Sequence, residues 1–160
     1  MIQAKELMSP NPTCCTPETS IREAARLMRE NDCGCLPVQD AEGTGRVVGV
    51  VTDRDIATRA VAEGRTSETA VGEVMSADPS CCRPEDSAKD VERIMTERQV
   101  RRVPVVDEAG CCIGMVAQAD LARSNVSAQD LARTVEKISE PSGGKPRRES
   151  EVGVQPRTWH

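Results

Sequence analysis

Residues 8–40 read MSPNPTCCTPETSIREAARLMRENDCGCLPVQD, and residues 75–107 read MSADPSCCRPEDSAKDVERIMTERQVRRVPVVD. Laid over one another at an offset of 67, the two stretches are identical at 14 of 33 positions, which is an internal repeat. The shared residues include Met8-Ser9 with Met75-Ser76, Pro12 with Pro79, Cys14-Cys15 with Cys81-Cys82, Pro17-Glu18 with Pro84-Glu85, Met28 with Met95, and Pro37-Val38 with Pro104-Val105. Beyond them the first copy carries two extra residues in its Gly43–Gly45 turn, so Gly49 matches Gly114 and Asp55 matches Asp120 at an offset of 65. Two copies are too few for a solenoid and fit a pseudo-symmetric pair.

Each copy reads strand, helix, strand, strand, helix, which predicts an α+β fold of tandem βαββα repeats packed sheet against sheet as one pseudo-twofold module. In the first copy Thr13–Cys15 is a candidate strand. Ser20 is a good N-cap with Glu23 at the capping-box position, and Ile21, Ala24, Ala25 and Met28 are expected to form one buried stripe. Cys35–Gln39 and Val47–Thr52 are expected strands, and Asp53–Glu63 a helix that buries Ile56, Ala57, Ala60 and Val61 and ends at Gly64. The second copy repeats this with Ser80–Cys82, a helix Ser87–Arg98 burying Val91, Ile94 and Met95, strands Arg102–Asp107 and Cys111–Ala117, and a helix from Gln118. Leu131, Val135 and Ile138 mark one more amphipathic helix. The expected division is residues 1–66, residues 67–140 with that last helix, and a tail at 141–160, rich in Gly, Pro, Ser and charge, that reads as disordered.

Composition removes several function classes. With 160 residues, Lys+Arg 21 against Asp+Glu 26 and a formal charge of -5, the chain lacks the basic surface that nucleic-acid binding needs. No Phe or Tyr is present, and the single Trp is Trp159, so there is no aromatic platform for stacking bases. No apolar run approaches the length of a membrane span, and the start lacks the apolar stretch of a secretory signal. A cytoplasmic location is the default expectation, with the eight cysteines as reduced thiols. The one histidine is His160, which removes the usual general base, and no nucleophile–base pair or acid dyad can be assembled. No catalytic residue is assigned, and the chain is not expected to be an enzyme.

The Met-Ser-x-x-Pro openings, Leu36-Pro37-Val38 and Val103-Pro104-Val105, and Gly49-Val50-Val51-Thr52-Asp53-Arg54-Asp55-Ile56 resemble the CBS domain pair, or Bateman module, over roughly residues 4–139. The resemblance implies a disc-like pair whose cleft binds an adenosine-containing ligand, such as AMP, ADP, ATP, S-adenosylmethionine or NAD. It also implies a homodimer, formed through helix faces such as Ile56–Val61 and the counterpart near Leu121. Nothing else is attached, so the chain resembles a small stand-alone bacterial-type member. No cofactor is required in this reading; the adenine nucleotide is a ligand, and the protein partner is unknown.

The Thr52 stretch has its own physical logic. Thr52 leaves a strand and enters a helix, so its hydroxyl, the first free N–H groups and the positive end of the helix dipole suit a phosphate. Asp55 can accept hydrogen bonds from ribose hydroxyls, and Arg54 can make a charge-assisted contact to phosphate. The same spacing is also close to a capping box that only starts a helix, and both roles can hold together. In the second copy Ala117 stands where Thr52 stands in the first, so that site, with Gly114 and Asp120, lacks one hydroxyl contact. The expectation is one competent site and one weakened or empty one. In the family pattern Arg101 and Arg102 point toward the interdomain cleft, and strand alternation lets only one of them enter. Without aromatics, adenine is expected between aliphatic side chains such as Leu36, Val38 or Val103.

The cysteines fall in the clusters Cys14-Cys15, Cys33-Gly34-Cys35, Cys81-Cys82 and Cys111-Cys112, none with zinc-ribbon spacing. No metal is assigned. Convergence of Cys14, Cys15, Cys81 and Cys82 across the pseudo-axis is the one arrangement that would bind zinc or form a redox pair. The leading reading is therefore a regulatory module that binds an adenine nucleotide between two repeats and signals through a change in association. The alternatives are a thiol-based redox or metal sensor on the same fold, and a structural dimerisation module with an empty cleft.

Overall fold

Pro12 and Pro17 bracket the first expected strand, and Pro79 and Pro84 the second; proline has no N–H to give to a ladder. In the computed structural model, which describes residues 1–124 and 128–140, these segments are not strands. Thr13–Cys15 and Ser80–Cys82 contribute one parallel bridge each, Cys15 with Val38 and Cys82 with Val105. The pairing lies upstream instead. A short helix α1 (Ala4–Leu7) leads into β1 (Ser9–Pro10), and the equivalent segment of the second copy forms β4 (Ser76–Ala77).

Between these lie α2 (Ile21–Glu30), β2 (Cys35–Gln39), β3 (Val47–Thr52), and α3 (Asp53–Asp55) running into a wider turn at Ile56–Val61; after them come α4 (Ala88–Arg98), β5 (Arg102–Val106), β6 (Cys112–Ala117), α5 (Gln118–Arg123) and α6 (Ala128–Ser139). Two three-stranded sheets result, β2-β3-β4 and β1-β6-β5. In both, the strands run antiparallel, with Leu36 opposite Val51 and Val103 opposite Val116. The third strand of each sheet is exchanged. β1, at the start of the chain, pairs with β6 with Ser9 opposite Met115, while β4, which opens the second repeat, pairs with β3 with Val50 opposite Ser76.

The apolar side chains form two buried clusters rather than a single core. One holds Ile21, Ala24, Met28, Leu36, Val38, Val51, Ala60, Val71 and Val74; the other holds Ala4, Val91, Met95, Val103, Val105, Val116, Leu121 and Ile138. Each fully buried Val, Leu or Met contributes about 1.5–3 kcal/mol. Ala4 and Val74 show the exchange in the cores themselves, each packing with the repeat on the other side of the chain. The halves also meet where the Val47 N–H donates to the Gly110 carbonyl at 3.0 Å and Arg46 bridges Cys111.

Some expected local contacts differ. Ser20 Oγ accepts the Glu23 N–H at 3.1 Å, but Glu23 turns its carboxylate to Arg26 at 2.6 Å and leaves the box half-made. The complete box is in the second copy, where Ser87 and Asp90 exchange both bonds. On α2, Ile21, Ala24 and Met28 are buried but Ala25 is exposed, and on α4 Ile94 is half-buried. On the segment after Thr52 only Ala60 is fully buried; Ile56 is half-buried, Ala57 is exposed and Val61 is 68% exposed. The buried stripe of α6 runs through Thr134 and Ile138, while Val135 is 41% exposed. Thr134 is accommodated by donating its hydroxyl to Glu92 Oε1. The expected tail at 141–160 lies outside the described residues.

Candidate functional site

β3 delivers Thr52 to the start of α3, and there the chain closes a full capping box. Thr52 Oγ1 accepts the Asp55 N–H at 3.0 Å, and Asp55 Oδ2 accepts the Thr52 N–H at 3.0 Å. Asp55 Oδ1 faces Arg59 Nε at 3.8 Å, and its side chain is only 15% exposed. Arg59 also donates to the Val74 carbonyl at 3.2 Å, so the turn is tied to the exchanged segment. In the second copy Asp120 Oδ2 accepts the Ala117 N–H at 2.7 Å, and Asp120 pairs with Arg123 at 2.9 Å. The half of the box that needs a hydroxyl is missing because residue 117 is alanine.

Arg101 precedes β5 and Arg102 opens it, and of the two only Arg102 lines the cleft formed by the first repeat. Arg102, opposite Ala117 in the second sheet, lines a cleft of about 440 Å³ together with Gly34, Asp53, Ile56, Cys33, Met28 and Ala25 of the first repeat. Arg29 and Asp32, at the end of α2, complete the wall. Among the described residues neither Arg29 nor Arg102 has an acidic partner in salt-bridge range. The Gly34 carbonyl accepts the Asp53 N–H at 3.0 Å, and a Cβ on Gly34 would sit 2.9 Å from Asp53 Oδ2, so a side chain there would push the carboxylate aside. Arg101 is exposed and contributes its carbonyl to the Gln118 N–H at 2.9 Å. Arg54 is exposed; its N–H donates to Asp53 Oδ1 at 2.8 Å. Of the residues predicted to hold the ligand, Thr52, Arg54, Asp55 and Arg101 do not line this cleft; Asp53, in the same turn as Thr52 and Asp55, does. Asp120 opens on a second recess of about 350 Å³ with Ile2, Glu6, Leu7, Arg123 and Ser124.

The aliphatic adenine slot requires correction. Leu36, Val38 and Val103 have 0% exposure and are packed into the two cores, because consecutive residues of β2 and β5 are covered on both faces. Their side chains are not available to a ligand. The apolar surface that does reach the cleft belongs to Ala25, Met28 and Ile56. Leu121 is likewise core, at 1% exposure, and cannot form an intersubunit face.

The four-thiol arrangement is not formed either. Cys15 and Cys82 each point into a different core, where burial pushes both thiols up to about 12. Cys35 is also raised to about 12 by burial; the Arg102 charge pulls against that shift, and Cys33, Asp55 and Asp53 add to it. Cys14, Cys33, Cys81, Cys111 and Cys112 are partly exposed.

Residues 4–62 and 71–127 each match the family model described as CBS domain. The chain belongs to the CBS domain family. Its two copies of the domain form a CBS pair, a regulatory module that implies no catalytic family. CBS domain-containing protein YhcV of Bacillus subtilis is 36% identical over 139 residues, 87% of this chain and 96% of that protein. A structure of Hypoxic Response Protein I with two coordinated zinc ions is similar at 34% identity and TM-score 0.69, over 77% of this chain and 98% of that one. A structure of CBSX2 in complex with AMP is similar at 30% identity and TM-score 0.67, over 77% of this chain and 95% of that one.

Zinc does not find an assembled ligand set in this CBS pair: among the described residues no group of three or more His, Cys, Asp or Glu side chains can hold a metal ion. Nor is any helix among them long and apolar enough to cross a membrane. Of the residues that line the CBS cleft, Arg102 is the one the sequence analysis assigned to a ligand; the residues of the first repeat that line it, Arg29, Asp32 and Asp53 among them, were passed over. Asp53 lies inside the quoted motif and was readable there. Arg29 sits on the wet face of its helix, as its spacing predicts, and no one-dimensional signal distinguishes a cleft-facing arginine from a solvated one.

Proposed function

We propose that this CBS pair is a regulatory module that binds an adenosine-containing ligand, an adenine nucleotide first, in the cleft between its repeats and thereby changes its association with a protein partner. The observation that carries the reading is Arg102 of the second repeat, which lines a cleft otherwise built by the first and shares it with Arg29. Two guanidinium groups with no salt-bridge partner among the described residues are suited to a phosphate group, and a charge-assisted hydrogen bond contributes about 1.5–3 kcal/mol. Ala25, Met28 and Ile56 offer the apolar contact that an adenine ring needs in a chain without Phe or Tyr. The AMP bound to CBSX2 supports the ligand class.

A ligand that touches both repeats stabilises one relative arrangement of them, and a partner that prefers that arrangement then binds more tightly. The second site, with Ala117 in place of the threonine, is the weaker one. A homodimer is part of the same reading, its face being the exposed Ala57 and Val61 rather than Leu121. Sedimentation of the native chain against Val61→Glu tests it, since loss of the dimer is expected. A formal charge of -5 argues against nucleic acid or an anionic membrane as partner, and the site of action is taken as the cytoplasm.

A thermal-shift panel of AMP, ADP, ATP, S-adenosylmethionine and NADH on ligand-stripped protein tests the function. It is read with an external dye because the chain holds one Trp and no Tyr. Ligand at about a hundred times its dissociation constant stabilises by about 2.7 kcal/mol, or several degrees in a chain of this size. A selective shift is expected; no shift with any of the five overturns the reading.

A further inference from the structure

The exchanged strands enter their sheets in the same way in both repeats. Ser9 lies opposite Met115 as Ser76 lies opposite Val50, and Pro10 opposite Gly114 as Ala77 opposite Gly49. Just ahead of each strand the Met8 N–H donates to the Ala4 carbonyl at 2.9 Å and the Met75 N–H to the Val71 carbonyl at 2.9 Å. The main chain of one repeat is therefore a template for the other, and the differences between them lie in the side chains.

In the first repeat Arg59 lies across this junction. Its Nη1 donates to the Val74 carbonyl at 3.2 Å and to the Met75 carbonyl at 3.3 Å, and its Nε faces Asp55 Oδ1 at 3.8 Å. In the second repeat Ser124 stands in the place of Arg59 and Asp120 in that of Asp55, while Leu7 and Met8 stand for Val74 and Met75. The serine is too short to span the same distance, and its hydroxyl turns back to the Leu121 carbonyl at 2.7 Å. Where the first repeat has an arginine side chain, the second has the recess of about 350 Å³ lined by Ile2, Glu6, Leu7, Asp120, Arg123 and Ser124.

The recess keeps the acceptors that Arg59 uses. Glu73 of the first repeat pairs with Arg65 at 3.1 Å; its counterpart Glu6 accepts the Gln3 N–H at 2.8 Å and has no basic partner in salt-bridge range among the described residues. Arg123, with a side chain 77% exposed, holds Asp120 Oδ1 at 2.9 Å, and its Nε donates to the Ala119 carbonyl at 3.3 Å within its own helix. Among the described residues it makes no hydrogen bond to the Leu7 or Met8 carbonyl. Ile2 and Leu7 supply apolar wall for an aliphatic stem.

We propose that this recess is a binding site for an alkylguanidinium group, seated as Arg59 is seated in the first repeat, with one Nη on the Leu7 and Met8 carbonyls and Nε toward Asp120. A planar guanidinium presents separate nitrogens to the carbonyls and to the carboxylate at once, which the point charge of an ammonium on the same stem does not. The inference does not rest on the nucleotide reading and stands or fails without it.

The test titrates the isotopically labelled full chain with ethylguanidinium chloride and follows the backbone amide resonances by NMR, with ethylammonium chloride at the same concentration as the control for salt. Saturable shifts centred on Leu7, Met8, Asp120 and Ser124, larger than those in the control, are expected. Ser124→Arg, which restores the arginine of the first repeat, is expected to abolish these shifts and to raise the thermal midpoint. Arg59→Ser makes the reverse exchange and is expected to lower the midpoint, to gain saturable shifts at Asp55 and Val74, and to recover part of the midpoint when ethylguanidinium is added. Arginine and N-acetylarginine amide, compared on the native chain, distinguish a free small molecule from the side chain of a protein partner, and tighter binding of either supports the site. Native-chain amides at Leu7 and Ser124 that do not move, or that move equally with ethylammonium, overturn the assignment, as do shifts that persist in Ser124→Arg.

Discussion

Thr52 and Asp55 hold each other where β3 passes into α3, each side chain accepting the other's backbone N–H at 3.0 Å. Thr52→Ala removes the acceptor for the Asp55 N–H and is expected to cost about 1 kcal/mol of stability. Thr52→Ser keeps the acceptor and is expected to stay close to native. Urea unfolding midpoints of the two variants measure this; equal loss in both would assign the effect to the lost methyl group and not to the cap.

Gly49 and Gly114 are equivalent in the repeats and are each covered by a methionine from the exchanged segment. A Cβ at Gly49 would lie 2.5 Å from Met75 Sδ and 3.0 Å from the Ser76 carbonyl, while the three atoms nearest to one at Gly114 all belong to the Met8 side chain. Overpacking of this kind costs about 1–3 kcal/mol. Gly114→Ala is expected to destabilise, and addition of Met8→Ala to recover part of that loss because the obstruction is a side chain. For Gly49→Ala, Met75→Ala is expected to recover less, since the Ser76 backbone remains in the way. Thermal midpoints of the single and double variants give the coupling.

Three buried thiols set an alkaline limit. Cys15, Cys35 and Cys82 are each raised from 9.0 to about 12 in the folded chain, chiefly by burial. The unfolded chain releases these protons near pH 9, and the folded chain retains them, so stability is fully present below pH 9 and is lost as the pH rises toward 12. Urea midpoints under reductant, taken from about pH 8 to about pH 11, are expected to be level at first and then to fall. Cys82→Ala should make the fall shallower; an unchanged slope would remove Cys82 from the account.

Much of this architecture was legible because each copy states it twice. Ser20 and Ser87, the paired Pro37-Val38 and Pro104-Val105, and the Gly49 and Gly114 positions mark helix starts and inner strands by local chemistry alone. The strand exchange was not legible: Ser9 and Pro10 give no sign in one dimension that they pair beyond residue 110. Nor did Leu36, Val38 and Val103 reveal that both faces of their strands are covered, since an apolar strand reads the same whether it borders a cleft or a second layer. At the site, the Thr52–Asp55 spacing predicted a capped turn, and the turn is capped. Arg29 was invisible as a cleft residue because only the approach of the second sheet makes its position special.

The measurement closest to the central claim is calorimetric titration of the ligand-stripped native chain, Arg102→Ala and Arg101→Ala with the nucleotide that gives the largest thermal shift. Arg102 faces the cleft and Arg101 does not, so loss of one charge-assisted bond predicts at least about tenfold weaker binding for Arg102→Ala. Arg101→Ala is predicted to bind as the native chain does. Native-like affinity in Arg102→Ala would contradict a ligand held between the two repeats.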